Sequence, residues 1–231
     1  TRGLRAAQTD GFVAAFEIPE FKRNNRGHIG RIAVTYLEWS GQNQHIELVP
    51  WRIIEKAEDA NAFASELEQA PKFSPSGRTS IFSVLAEANS LILNNQYVGT
   101  RLIIDISGNG PENSGHKPLR LKDRRITVNG LVFPARPSGA DDPYRNYPYT
   151  TSDVVNYFRT SGAQGSGAFV FRIDTEADIE RAILRKLLIE IAGYYPDARG
   201  KYRDAPPKGF SLLPIICLAE DRRNCIAYWY T

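Results

Sequence analysis

The sequence predicts an α/β protein with a doubly wound, mostly parallel sheet, an antiparallel hairpin at the sheet edge and a C-terminal extension. The main reason is that amphipathic helices alternate with apolar strands along the chain. The run Arg101–Ser107 (RLIIDIS) is apolar almost throughout, as is typical of a strand buried on both faces of a parallel sheet. The composition agrees, because 42% hydrophobic and 24% charged residues in 231 are globular values that exclude a disordered or collagen-like chain.

The first half of the chain contains helix and hairpin patterns. Apolar residues at helical spacing, from Leu4 to Phe16, predict a helix over 2–16. The β-branched and aromatic segment 29–39, a turn at Ser40–Asn43 and a return over 44–49 that ends before Pro50 predict the antiparallel hairpin. Two helices follow, and they are predicted at 57–69 and from Ser80 to Ile92.

The second half predicts three strands and two helices. The strands lie at 101–107, 126–133 and 168–173, and the helices lie near 152–160 and over 176–192. The last helix starts at a capping-box variant of Thr175 and Asp178 and ends at Gly193. Only a two-turn segment, Leu119–Arg125, is left to cross between the first two of these strands, which is near the minimum for a right-handed connection.

The segment 194–231 has a different character and is predicted to be an extension of a domain spanning 1–193. It is rich in proline, and its two cysteines, Cys217 and Cys225, flank a polar turn between two short apolar runs. A hairpin would let the sulfurs face each other in a disulfide, and two unpaired buried thiols are the alternative. Two cysteines without a nearby histidine do not complete a zinc site.

Charge and hydropathy exclude several classes of function. The net charge of +3 is small and dispersed, so nucleic acid is not an expected partner. No apolar run is long enough to span a membrane. The chain contains no methionine, even at position 1, which indicates that it starts after a processing event or lacks its original start.

No catalytic motif stands out among the polar residues. The turn Gly108-Asn-Gly110 follows a buried strand but meets neither phosphate-binding pattern, so we interpret it as a tight turn. The three histidines, His28, His45 and His116, have no matching nucleophile motif, and Asp141-Asp142 lie in a loop. We expect these side chains to be solvated.

Several ordered blocks together resemble an uncharacterised family of bacterial, often exported proteins related to von Willebrand factor A domains. They lie between about Arg5 and Gly193 and include Gly30–Gly41, Gly77–Ile81, Ile104–Asn113 and Ala182–Gly193. The resemblance implies a von Willebrand A-like sheet that carries a metal-ion-dependent adhesion site. Such a site uses D-x-S-x-S after the first strand, a threonine in a second loop and an aspartate in a third, around Mg²⁺.

By position, Thr79 matches the threonine, and Asn109 stands where the family has aspartate. The strand with D-x-S-x-S would lie before Thr1 and is not in the sequence. The tail strand 212–217 could replace it, but Pro214 argues against a central position, so we expect either that the start of the chain is missing from the sequence or that the strand comes from elsewhere. We therefore expect the metal site to be degenerate and empty, and the protein to have no cofactor. The alternative is that the site binds Mg²⁺ as a cofactor.

The predicted function is a non-enzymatic protein–protein interaction domain, a structural or accessory subunit of a larger assembly that is periplasmic or otherwise exported. Other protein subunits are the expected partners. Aromatic and arginine anchors in a polar loop are predicted to contact them: Tyr144, Arg145, Tyr147 and Tyr149. A Mg²⁺-dependent adhesion or sensing module for acidic ligands is the alternative, and a hydrolase or nucleotide-binding enzyme is the third possibility.

Overall fold

The computed structural model describes residues 31–71, 78–99, 101–135, 149–175, 178–191 and 213–220. The helix predicted at 2–16 lies outside these ranges. In this part of the chain there are six strands, four α-helices and one π-helical turn. The strands are β1 (Ile32–Trp39), β2 (His45–Ile54), β3 (Leu102–Gly108), β4 (Ile126–Val132), β5 (Val170–Arg172) and β6 (Leu213–Glu220). The α-helices are α1 (Ala57–Gln69), α2 (Ile81–Leu93), α3 (Thr151–Tyr157) and α4 (Ile179–Ile191), and the π-helical turn is Phe158–Gly162.

The strands form one mixed sheet in the order β2-β1-β6-β3-β4-β5. β1 and β2 are antiparallel and lie at one edge, and every other neighbouring pair is parallel. The predicted α/β class, the mostly parallel sheet and the antiparallel edge hairpin are therefore confirmed.

Helices cover both faces of the sheet. Successive side chains of a strand point to opposite faces, so neighbouring residues of β3 contact different helices. On one face, Ile104 belongs to a buried apolar cluster that also contains Leu85 of α2 and Val154 of α3. On the other face, Asp105 contacts Lys186 of α4. Both faces of β3 are thus inaccessible to water, as its apolar sequence predicts.

The helices predicted from apolar periodicity are confirmed where they are described. α1 buries Ala60, Phe63, Ala64 and Leu67, and α2 is capped at its N-terminus by Ser80, whose hydroxyl accepts the Ser83 N–H. The hairpin differs in one respect, since β2 continues through Pro50 to Ile54. An edge strand tolerates proline because one of its sides forms no ladder.

The largest difference from the predicted fold concerns the tail. β6 lies in the middle of the sheet, between β1 and β3, so the expectation that Pro214 keeps this segment from the centre is wrong. The physical reason is position: Pro214 is the second residue of β6, and pairing with β3 starts only at Ile215. The missing proline N–H therefore falls at the strand end, where a sheet accepts it.

The central position of β6 also rules out the predicted cysteine hairpin. Cys217 is aligned with Tyr36 on one side and with Asp105 on the other, so neither edge of β6 is open to a returning strand. Cys225 lies outside the described residues. The disulfide therefore stays a prediction, without the hairpin that suggested it.

The connection from β3 to β4, for which the sequence leaves only the short segment Leu119–Arg125, is not helical. It runs without regular structure from Asn109 to a turn at Arg124 and Arg125. β5 is also shorter than predicted, with three residues. None of the described helices is long and apolar enough to cross a membrane.

Candidate functional site

The polar loops that follow β1 and β3 meet the start of α2 at one edge of the sheet. We call this region the strand-end edge, and its residues are Ser40, Arg78–Phe82 and Gly108–Ser114. The loops meet because β1 and β3 run in the same direction, so their carboxyl ends share an edge. Ser40 fixes the contact: its hydroxyl donates to the Arg78 carbonyl at 2.8 Å, and its carbonyl accepts the Ser80 N–H at 2.7 Å.

Thr79 is held against the loop that contains Asn109. The Thr79 N–H donates to Oδ1 of Asn113 at 2.7 Å, and the Asn113 N–H donates to the Thr79 carbonyl at 3.0 Å. The Ser114 hydroxyl donates to the same carbonyl at 3.1 Å. A Cβ at Gly110 would lie 3.3 Å from Oγ1 of Thr79, so this glycine permits a close approach. The two positions that the resemblance assigns to a metal site, Thr79 and Asn109, therefore lie in loops that contact each other.

Glu112 ties this loop to the first turn of α2. Its Oε2 accepts the Phe82 N–H at 2.8 Å, and its Oε1 accepts the Ser114 N–H at 3.1 Å. A carboxylate is favourable at a helix N-terminus, where the first N–H groups have no partner within the helix. Both oxygens of Glu112 are thus engaged in holding backbone.

The donors of the strand-end edge do not suit a tightly bound Mg²⁺. Mg²⁺ in proteins is bound through one or two carboxylates with water or phosphate. Thr79 offers a hydroxyl, Asn109 offers an uncharged amide, and the Glu112 carboxylate is already bonded to two N–H groups. Across the described ranges, no group of three or more His, Cys, Asp or Glu side chains could hold a metal ion.

The other residues singled out from the sequence are dispersed. Tyr149 is 41% exposed just before α3, and its companions Tyr144, Arg145 and Tyr147 lie outside the described residues, as do His28, Asp141 and Asp142. The remaining two histidines are not simply solvated as expected. Nε2 of His45 lies 3.5 Å from Oε2 of Glu87, and the His116 ring stacks on Phe82 with ring centres 4.7 Å apart.

Sequence reasoning missed a buried cluster of charged groups between β3, β4 and α4. Lys186 forms an ion pair with Asp105, and its Nζ lies 3.4 Å from Oε1 of Glu190, one helical turn away. The side chains of all three are fully buried. Asn129 joins them, since its amide donates to Glu190 and its Oδ1 accepts the Phe169 N–H at 3.2 Å.

Burial dominates the electrostatics of this cluster. It raises the pKa of Asp105 to about 6, although the Lys186 ammonium favours the charged carboxylate. Burial also raises the pKa of Glu190, and the neighbouring Asp105 charge acts in the same direction. Desolvation lowers the pKa of Arg101, whose guanidinium donates to the Glu190 carbonyl at 3.1 Å.

One signal in the sequence could have indicated the cluster. Asp105 interrupts the apolar strand Leu102–Ile106, and a carboxylate within a doubly buried strand needs a cation or several donors. Lys186 and Glu190 lie three and seven residues after Ile183, on the face that Ile183 shares. The apolar helical pattern is drawn from Ile and Leu alone. On that pattern, Lys186 and Glu190 are assigned to the side of the helix that faces solvent.

These observations define the class of protein: a mixed α/β domain with helices on both sheet faces and a polar edge where its parallel strands end. Residues 3–195, most of the chain, match the model of a family described as Protein of unknown function (DUF1194). The chain belongs to that family. No curated protein and no solved structure matches it. β6 lies beyond the matched residues.

Proposed function

We propose that this chain is a non-enzymatic protein-interaction domain of the von Willebrand A type, exported to the periplasm as a structural or accessory subunit of a larger assembly. The order of elements supports the likeness, since parallel strands are covered by helices on both faces. The contact between the loops of Thr79 and Asn109 supports it further, because the resemblance requires these positions to be close.

The observation that carries the proposal is the bonding of Glu112. Both of its carboxylate oxygens accept backbone N–H groups, so the acidic side chain holds the loop against the start of α2. The strand-end edge is thereby a rigid polar surface. A rigid surface loses little conformational entropy when it docks against a partner.

The placement of the two described histidines also favours a binding role. His45 lies against Glu87, and His116 stacks on the Phe82 ring. A histidine that activates a serine, threonine or cysteine nucleophile must lie within hydrogen-bonding reach of it, and these contacts position both rings for other neighbours. We therefore assign this chain no chemical step.

Site-specific photocrosslinking in the organism that produces the protein tests the partner contact. In separate variants, a benzophenone amino acid replaces Arg78, an exposed residue of the strand-end edge, or Tyr149, which is 41% exposed in the predicted partner-binding segment. The matched control replaces Val98, which is 89% exposed elsewhere. We expect a discrete protein adduct at position 78 or 149 and none at 98, both with and without EDTA. Failure to form an adduct at both 78 and 149, or an equal adduct at 98, contradicts the proposal.

Ligand-dependent thermal unfolding separates the proposal from its alternatives. We expect millimolar MgCl₂ to leave the Tm of the chain within about 1 °C of its value in EDTA, and ATP and GTP to have no saturable effect. A saturable rise with Mg²⁺ that Thr79→Ala abolishes would establish the metal-dependent adhesion module. A saturable rise with a nucleotide would instead establish the enzyme class.

A further inference from the structure

The connection between β3 and β4 carries an unbalanced positive charge. Residues 117–125 hold five basic residues and one acidic residue, giving this segment a charge of +4, whereas the whole chain has +3. Arg125 pairs with Asp123 at 2.6 Å. The four remaining cations, Lys117, Arg120, Lys122 and Arg124, are all exposed, and we call them the basic strip.

The basic strip is held in shape although it has no regular secondary structure. The Leu121 N–H donates to Oε1 of Gln164 at 2.9 Å, and Nε2 of Gln164 donates to the Leu119 carbonyl at 2.9 Å. Leu119 and Leu121 also pack against the buried apolar cluster. Because these two leucines point inward, the intervening Arg120 and the following Lys122 are directed to solvent.

Among the residues that the structure describes, no neighbour neutralises the charges of the strip. In the portion of the chain that the structure describes, Lys117, Lys122 and Arg124 take part in no ion pair. Arg120 donates to the Thr160 carbonyl at 2.8 Å, which fixes its guanidinium without cancelling its charge. Like charges held close together on a surface produce a local positive potential that attracts an anionic partner.

We propose that the basic strip is a docking surface for an extended acidic segment of a partner protein, with carboxylates on alternate residues. Arg120 and Lys122 are two residues apart, so in extended backbone their side chains repeat every ~7 Å. An extended peptide with glutamate at alternate positions has the same repeat. Arginine can bind a carboxylate through two parallel hydrogen bonds, which adds geometric selectivity to the charge attraction.

The chemistry around the strip favours an acidic peptide over other polyanions. Residues 117–125 contain no aromatic side chain on which a nucleic-acid base could stack. Their two leucines pack inward against the core and so are not available to enter a lipid bilayer. The strip lies outside the strand-end edge, so a Mg²⁺ response at that edge would leave this inference unchanged.

Fluorescence anisotropy on the full chain tests the docking surface. The probe is a fluorescein-labelled peptide of alternating glutamate and serine, titrated at about 50 mM and about 200 mM salt. We expect saturable binding at the lower salt that weakens at the higher salt. Lys122→Glu/Arg124→Glu is expected to reduce affinity at least tenfold. The control, Arg31→Glu/Arg181→Glu, changes net charge equally at exposed sites elsewhere and is expected to change affinity less than twofold.

Three results would overturn the inference. Absence of binding at the lower salt is the first. The second is an equal loss of peptide affinity in the two double variants while their Tm values stay unchanged. It would show that binding responds to net charge alone. The third is that oligothymidylate or phosphatidylserine vesicles bind more tightly than the peptide. If Lys122→Glu/Arg124→Glu abolished that binding, the strip would be assigned to a different class of partner.

Discussion

Asp105 at the middle of β3 and Lys186 on α4 form an ion pair in which neither side chain is exposed to solvent. The pair connects the sheet to the helix that covers it, and Glu190 extends the connection by one helical turn. Buried charges are costly unless they are paired and hydrogen-bonded. The stability of this domain therefore depends on the protonation states of Asp105, Lys186 and Glu190.

Protonation of Asp105 is expected to add to the stability of the domain at acidic pH. Burial raises the pKa of Asp105 to about 6, above its ordinary value, so its contribution to stability is fully present below about pH 4 and is lost as the pH rises through 6. We expect urea unfolding to give a free energy about 1 kcal/mol larger at pH 5 than at pH 7.5 from this group. Asp105→Asn should lack that increment. An identical pH dependence in the variant would contradict the assignment to Asp105.

Removal of the lysine should cost more than removal of an exposed neighbour. Lys186→Met leaves Asp105 and Glu190 buried without their cation, and we expect a loss of about 3 to 5 kcal/mol in urea unfolding. The control is Arg185→Met, since Arg185 is exposed and lies 5.8 Å from the Phe171 ring centre. It should cost less than about 1 kcal/mol. Equal costs would show that the buried pair is not intact in solution.

The double variant Asp105→Asn/Lys186→Met isolates the interaction of the pair. Its cost should be less than the sum of the two single changes by about 1 to 3 kcal/mol, because each single change leaves a charge without its partner. Additive costs would mean that Asp105 and Lys186 do not interact.

The loop of the strand-end edge should loosen when Glu112 is shortened. Glu112→Ala removes two charge-assisted bonds to the N–H groups of Phe82 and Ser114, which lie 2.8 and 3.1 Å from its oxygens. We expect a loss of about 2 to 4 kcal/mol in urea unfolding. Glu68→Ala, at an exposed position of α1, should change stability by less than about 0.5 kcal/mol. Equal values for the two variants would refute the role given to Glu112.

Amide hydrogen exchange tests the central position of β6. Its residues 215–219 pair with β1 on one side and β3 on the other, so their N–H groups should exchange as slowly as those of Ile103–Ser107. Residues 98 and 99, which follow α2 without a ladder, provide a fast reference. Exchange of 215–219 at the rate of this reference would mean that the tail does not belong to the sheet.

Local pattern was sufficient to predict α1, α2, β3 and β4, because each buries a face whose spacing is visible in a short window. The proximity of Thr79 and the Asn109 loop followed from the resemblance and not from local pattern, since Thr79 comes after a helix and its neighbour in space comes after β3. Two features depend on distant residues and could not be predicted in this way. The first is β6, whose partners lie far along the chain. The second is the pairing of Asp105 with Lys186, which joins β3 to a helix that follows only after β4, α3 and β5.

The position of Pro214 shows why a correct local rule gave the wrong arrangement. Proline removes one ladder hydrogen bond, and this cost is large only where both sides of a strand are paired. Pairing with β3 begins one residue later, so Pro214 has a ladder on the β1 side only. Sequence alone does not show where the second ladder starts.

The central placement of β6 sets an order of events during folding. β1 cannot be joined to β3 until residues 213–220 arrive, since β6 is the only strand between them in the sheet. Contacts between segments this far apart in sequence form slowly, because a long loop must close before they are gained. During synthesis the β1–β2 hairpin and the β3–β4–β5 unit would emerge first, with β1 and β3 still without their shared partner β6, and strand insertion would complete the domain only after residue 220 leaves the ribosome. A chaperone that shields these edges during that interval would raise the yield of the folded protein.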